Sequence, residues 1–328
     1  MSSGLSVNIH PSLFPAAVRH DLLAALKARR VPSRCHYESL RQAQKWLDLH
    51  RAYAPSARDP DCGSAFAKAY RVVTGTFRAS RVELVGLCCG DGSKEAEILA
   101  GLGQAGKAVV YRPCDGSLPL VLAAALAAAK VQPQETIHPQ LCDFQNAEDL
   151  ASFLAPAAGG RQSRRLVTFF GAVPNFSPRL VATRLADILR PGDQLLLSAN
   201  LVPGRGSRQD WERLRQQYDN PLTREWLGLF LSDLGIPATA GQLQTVLEPC
   251  PEASGLRRIS VYFRFSQPAE IRIYDECRRY RAGERLRLFF SYRYTPELLS
   301  GMLGKKGLSL AGQWLAQSGE EGVFWLRR

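Results

Sequence analysis

Val82-Glu83-Leu84-Val85-Gly86-Leu87-Cys88-Cys89-Gly90-Asp91-Gly92-Ser93-Lys94 decides how this chain is read. An apolar run of strand length breaks into a turn of small residues and glycines, and a helix over Lys94–Leu102 comes next. This is how a doubly wound sheet opens a nucleotide pocket: small residues let a ligand approach the backbone, and the helix start presents free N–H groups. Glycine turns after strands are common, so the weight falls on the residues at the tips of the later strands.

Working outward, residues 1–61 read as mainly helical, with Asp21–Arg29 and Ser39–Arg51 as helices and Leu40, Ala43, Trp46, Leu47 and His50 repeating at helical intervals. The Pro/Asp-rich piece Ala54–Cys62 reads as a loop before a helix at Gly63–Thr74. Strands then alternate with helices. Strands are expected at Arg81–Leu87, Lys107–Arg112, Glu135–Leu141, Arg165–Gly171 and Gln194–Ala199, and helices at Lys94–Leu102, Leu118–Lys130, Ala147–Leu154 and Ser177–Leu189. Arg190-Pro191-Gly192-Asp193 stops the last helix. That order makes a parallel sheet with right-handed crossovers.

After Asn200 the rhythm changes. Helices are expected at Gln209–Tyr218 and Thr223–Leu234. Ser260–Phe265, Glu270–Asp275 and Glu284–Tyr292 alternate in part with period two, as in a small antiparallel sheet. The end returns to the first style, with helix Thr295–Leu303 and a hairpin of Ser309–Ala316 and Gly322–Leu326. A parallel sheet closed by an antiparallel hairpin is the mark of class I (Rossmann-like) methyltransferases. The expected architecture is therefore α/β, a doubly wound sheet over 62–203 and 292–328, with a smaller α+β substrate-binding domain from 1–61 and 204–291.

The bulk properties fit a globular chain. Its 328 residues are 45% hydrophobic and 22% charged, enough for a full core. No apolar run approaches the roughly 20 residues that span a bilayer. Met1–Pro15 has neither the basic head nor the apolar stretch of a signal peptide, and the eight cysteines show no C-x-x-C pair. A cytoplasmic protein with reduced thiols and no metal is expected. The net charge of +12 is spread in short clusters such as Arg257-Arg258 and Arg278-Arg279, the pattern of a solvated basic surface and not of a nucleic-acid stripe.

Ligands of open α/β sheets sit at the C-terminal edges of the strands. After the second strand, Asp115 is placed to bond both hydroxyls of a ribose, although an Asp before a helix is also a common N-cap. After the third come Asp143 and Phe144, an acceptor for an adenine amino group beside a ring that packs on the base. A glycine turn, an acid about 24 residues on and Asp-Phe about 52 on is the layout of an S-adenosylmethionine (SAM) site; the turn after the first strand lacks the full G-x-G-x-x-G of dinucleotide sites. Gly86 and Cys88 stand where such a turn often carries an acid and its leading glycine, so a modified pocket is expected. Cys88, Cys89, Cys114 and Cys142 gather at this crevice as small apolar residues.

With these motifs in place, the chain resembles the histidine-specific N-methyltransferase family, SAM-dependent enzymes that methylate the α-amine of histidine on the way to ergothioneine. The likeness rests on Gly90-Asp91-Gly92-Ser93-Lys94, Asp115-Gly116-Ser117, Asp143-Phe144 and Phe170-Gly171-x-x-x-Asn175-Phe176-x-Pro178. It extends to Leu189-Arg190-Pro191-Gly192-Asp193, Arg281-Ala282-Gly283-Glu284 and Ser291-Tyr292-Arg293-Tyr294-Thr295. Gly86, Cys88 and Gly90 of the turn are expected to face the cofactor, and the resemblance implies that Lys94, Asp115, Asp143 and Phe144 contact SAM. It implies that Asn175 and Tyr218 hold the acceptor's α-carboxylate, that Tyr37 and Tyr53 line the amine pocket, and that Ser291 helps read the side chain.

Departures from the family matter as much. Its reader of the imidazole is a glutamate two residues before the serine; here that residue is Phe289. A pocket methionine of the family corresponds to Val261. Burying an imidazole without its acceptor leaves an unpaired N–H, at a cost of about 1–3 kcal/mol. The expectation is retained chemistry on a different acceptor: a small, amino-acid-like molecule, apolar or aromatic rather than histidine. Three rivals stand beside it. They are methylation of a nucleic acid, action on a peptide or natural-product intermediate or on SAM itself, and SAM binding without catalysis. No Asp/Asn-Pro-Pro-Tyr tetrad comes after the fourth strand, which disfavours the first. The sequence leaves the oligomeric state open.

Overall fold

The computed structural model describes residues 4–155, 164–204 and 206–328. In chain order its first strands are Asn8–Ile9 (β1), Arg81–Leu87 (β2), Ala108–Asp115 (β3), Gln140–Leu141 (β4), Arg164–Phe169 (β5) and Gln194–Asn200 (β6). Next come Gly241–Pro249 (β7), Arg257–Phe265 (β8), Ala269–Ile273 (β9), Glu276–Tyr280 (β10) and Arg285–Arg293 (β11), and Ser309–Leu315 (β12) and Glu321–Arg327 (β13) close the chain. Among the described residues the larger sheet runs β1-β4-β3-β2-β5-β6-β13-β12. β13 pairs antiparallel with both β6 and β12, while the pairs from β1 to β6 are parallel. The order reverses at β2, so the crevice for a ligand opens at the C-terminal tips of β2, β3 and β5. This is the class I methyltransferase sheet with its closing hairpin.

β2 and β5 lie mid-sheet and read as near-continuous apolar runs because helices cover both faces. Leu84, Val85, Leu166, Val167 and Leu195–Leu197 are fully buried. The one charge inside the β2 run, Glu83, is matched: Arg112 Nε lies 2.9 Å and Arg165 Nε 3.4 Å from its carboxylate. Arg165 also reaches Asp193 at 3.1 Å, which ties the turn after the Pro178–Ile188 helix to the sheet.

The expected third strand is shorter than the sequence suggested. Residues Gln134–Thr136 form a 3-10 turn and only Gln140–Leu141 pair as a strand, because Pro139 within the run has no N–H to give a ladder. The edge is completed from an unexpected direction. Asn8–Ile9, placed by sequence in the substrate domain, pairs with β4. The small antiparallel sheet also differs from expectation. β8 and β11 pair, their third strand is β7, which the sequence did not reveal, and β9 pairs instead with β10 in a separate hairpin.

A second body sits over the crevice. It holds β7, β8 and β11 with the helices Pro15–Lys27, Leu40–Tyr53, Arg208–Gln217 and Pro221–Asp233. Its core joins Leu26, Cys35, Trp226, Phe230, Val261, Phe263 and Leu286. The Leu40–Tyr53 helix opens on a capping box of Ser39 and Gln42. Spacing of three and four residues then turns Trp46, Leu49, His50 and Tyr53 toward the crevice. Fully buried His36 donates from Nε2 to the Leu288 carbonyl at 2.7 Å, and burial lowers its pKa to about 4, so it is neutral there. The last residues of β11 dock on the large sheet, where Tyr294 N–H donates to the Asn200 carbonyl at 3.1 Å.

Two glycines of one helical segment separate backbone necessity from chance. Gly92 has φ +70°, and a Cβ there would lie 2.6 Å from Ala124 Cα, so the turn and the Leu118–Ala128 helix meet only through a hydrogen atom. Gly101, inside the Ser93–Gln104 helix, faces open space. Gly101→Ala is expected to raise unfolding stability by about 0.5–1 kcal/mol. Gly92→Ala is expected to lower it by more than about 1 kcal/mol through strain and overlap. Denaturant titration of both variants checks the pair; equal effects would contradict the close approach.

Candidate active site

The crevice between the two bodies is a cavity of about 290 Å³. Its floor is the turn after β2. Cys88 takes φ +47°, Gly90 φ +56° and Gly92 φ +70°. Cys88 therefore carries a left-handed conformation that a glycine adopts without strain. Above the turn lies Trp46, whose ring a Cβ on Gly90 would approach to 3.1 Å.

At the tip of β3, Asp115 accepts from Gly90 N–H at 3.2 Å and from Ser117 N–H at 3.0 Å. Among the described residues it has no cationic partner, and burial pushes its pKa up to about 6. A desolvated carboxylate held from behind by two amides, with its remaining lone pairs on the cavity side, suits a vicinal diol. Phe144 lines the same wall, backed by Phe169 and Phe176 with ring centroids 4.9 and 5.0 Å away. Lys94, in the first turn of the next helix, lines the cavity and lies 5.3 Å from the Phe66 ring centroid. These residues fit SAM: an acid for its ribose, a ring for its base and a small-residue turn that admits its backbone-hugging chain.

Asp143 is placed as expected but is already engaged. Arg34 Nε lies 3.0 Å from its carboxylate, which also accepts from Gln145 N–H at 2.8 Å and Asn146 Nδ2 at 3.0 Å. Its side chain shapes the loop under the cofactor wall through these bonds. Arg34, which the sequence did not single out, also pairs with Glu38.

The opposite wall comes from the second body. β11 carries a bulge: Arg287 pairs with Tyr262, but Phe289 pairs with Val261, leaving Leu288 as the extra residue. A bulge re-aims every later side chain of its strand. Here it turns Phe289, Ser291 and Arg293 to the cavity, while Phe290 and Tyr292 face away. Phe289 lies between Tyr218 (5.9 Å, stacked) and Trp226 (5.5 Å, edge-on). Tyr37 completes the aromatic wall, 5.6 Å from Trp46 and 5.4 Å from Trp226. Burial raises the Tyr37 phenol far above its ordinary range, so it stays protonated. Tyr53 sits half exposed at the rim, and Asn175 lines the floor after β5.

The structure thus brings Tyr37, Tyr53, Cys88, Gly90, Lys94, Asp115, Asp143, Phe144, Asn175, Tyr218, Phe289 and Ser291 to one cavity. Two expected site residues lie off its wall. Gly86 is within β2, where a Cβ would meet Tyr111 and Glu95 at 3.2–3.3 Å. Val261 is buried in the core behind Phe289. Among the described cysteines, Cys114 and Cys142 lie behind the wall with sulfurs 3.0 Å apart. Trp46, Trp226, Glu95 and Arg293 also line the cavity. Of these, Trp46 had a readable signal in its helical spacing from His50, and Arg293 in its two-residue spacing from Ser291.

Fold and cofactor wall together define a class I SAM-dependent methyltransferase. The chain belongs to the family of histidine-specific, SAM-dependent methyltransferases, whose pattern matches residues 66–231. It is 27% identical over 252 residues to a histidine N-alpha-methyltransferase of Mycobacterium tuberculosis (strain CDC 1551 / Oshkosh), a match covering 73% of each chain. It is also similar to the CcbJ methyltransferase from Streptomyces caelestis (14% identity, TM-score 0.40, covering 80% of this chain and 88% of that one). The SAM-dependent methyltransferase SibL aligns at 12% identity and TM-score 0.45, over 94% of this chain and 69% of its own. No described helix is long and apolar enough to cross a membrane.

Burial of Asp115 gives cofactor binding a pH dependence of definite sign. Hydroxyl donors favour the ionised carboxylate, so binding of S-adenosylhomocysteine (SAH) should release a proton below about pH 6 and tighten as pH rises through about 6. Calorimetric titration across this range is expected to show that rise in the wild type and a flat profile in Asp115→Asn. The variant should also bind SAH about 10- to 100-fold more weakly.

Proposed function

We propose that the enzyme methylates the α-amine of a free amino acid whose side chain is apolar or aromatic, in preference to histidine. The observation that carries this reading is Phe289. The bulge in β11 puts its ring in the cavity between Tyr218 and Trp226, at the position where the family places the glutamate that accepts from an imidazole. An imidazole N–H facing the Phe289 ring lacks the carboxylate acceptor that a glutamate at this position supplies, whereas a phenyl, indole or branched aliphatic group gains apolar contact. Nearby Val261 supports Phe289 from behind across the β8–β11 pair.

SAM, when bound, supplies an electrophilic methyl group on a sulfonium. This chain's residues bind, orient and dry the nucleophile. Asn175 and Tyr218 hold the acceptor's carboxylate and thereby set where the amine nitrogen lies. Tyr37, held as a neutral phenol, orients the amine by a hydrogen bond and presents a ring to the cationic product; it does not serve as a phenolate base. The amine binds deprotonated, so its lone pair is available without a strong base. Tyr53 and the Leu40–Tyr53 helix cover the rim and limit water.

A screen of free amino acids with SAM, read by mass spectrometry, is expected to show methylated tryptophan, phenylalanine, tyrosine or leucine and little methylated histidine. Phe289→Glu is expected to lower kcat/KM for the preferred acceptor by about tenfold or more and to raise it for histidine. Efficient methylation of histidine by the wild type would contradict the reading.

A further inference from the structure

Arg293 is 4% exposed, lines the cavity and has no carboxylate partner among the described residues. Its Nη2 donates to Tyr218 Oη at 2.8 Å, its guanidinium lies 5.5 Å from that ring, and its Nε is buried without a partner. Two residues earlier on the same face of β11, Ser291 is 1% exposed and its hydroxyl is also unpartnered. A buried cation without an anion is costly, and a buried hydroxyl without a partner adds to that cost. Since Arg293 already donates to the Tyr218 oxygen, the tyrosine's own proton is free to donate elsewhere. Arg293, Ser291 and Tyr218 therefore line the same cavity as donors, and among the described residues no carboxylate pairs with the guanidinium.

We propose that Arg293 is the charged anchor for a carboxylate of the acceptor, with Tyr218 and Ser291 as neutral donors beside it, and that it makes a free carboxylate a requirement of the substrate. The anchor rests on the amino-acid reading above, and it adds a selection the aromatic wall cannot make. An amide, an ester or a decarboxylated amine with the same side chain leaves the guanidinium uncompensated and is rejected. A peptide joined through its carboxyl end is rejected for the same reason.

The test uses carboxylates that lack an amine, so it does not depend on methyl transfer. Indole-3-propionate and 3-phenylpropionate, each beside its amide, are titrated into the SAH-saturated enzyme by calorimetry. The wild type is expected to bind the acids more tightly than the amides by about tenfold or more. Arg293→Gln should remove that preference while leaving SAH affinity unchanged, and Arg293→Lys should keep part of it, since an ammonium retains the charge without the fork. If Arg293→Gln fails to bind SAH, the comparison passes to Arg293→Lys, which should lose several-fold in acid affinity. Equal binding of acids and amides by the wild type, or an undiminished preference in the variant that binds SAH, overturns the proposal. An Arg293-dependent preference with no amino acid methylated keeps the anchor and overturns the amino-acid reading instead.

Discussion

The Gly90 N–H to Asp115 carboxylate bond is the constraint on which the cofactor side of this molecule depends. It joins the turn after β2 to the tip of β3, the two loops that must face each other across a topological switch point. Both ends need special residues. Gly90 is left-handed and pressed against Trp46, and Gly92 two residues on lets the Leu118–Ala128 helix close in. Asp115 gives up solvent to make the bond and is held by amides alone, which keeps it available to a ligand. The Ser117 hydroxyl then donates to the Tyr37 carbonyl at 2.6 Å, so the same loop fixes the start of the acceptor wall.

The acceptor side depends on a single inserted residue. Without the bulge at Leu288, the alternation of Leu286 and Leu288 would continue to Phe290 and Tyr292, and the cavity would be lined by a different set. With it, one strand supplies an apolar ring, a hydroxyl and a guanidinium in succession to one wall. Asp115 at the tip of β3 and Arg293 on β11 line the same cavity from different elements.

Much of this was legible in the chain. The alternation of apolar runs with helical periods announces the parallel sheet, and the spacing from Gly90 to Asp115 to Asp143 announces the cofactor loops, because strand tips recur at the intervals of βα units. Other parts had no local signal. The β1 strand is two residues long and exists only because β4 offers an open edge. β7 alternates weakly because it is half-buried on both faces. Arg34 occupies Asp143 from far away in sequence, and the bulge that aims Phe289 leaves no mark in the composition of its strand. These depend on tertiary partners, which periodicity does not report.

Hydrogen–deuterium exchange with and without SAH tests the central claim most directly, because it reads where the cofactor settles. Protection is expected over residues 88–94, 115–117 and 143–146, the three loops at the sheet's C-terminal tips. Protection confined to other segments, or none at saturating SAH, would contradict the account.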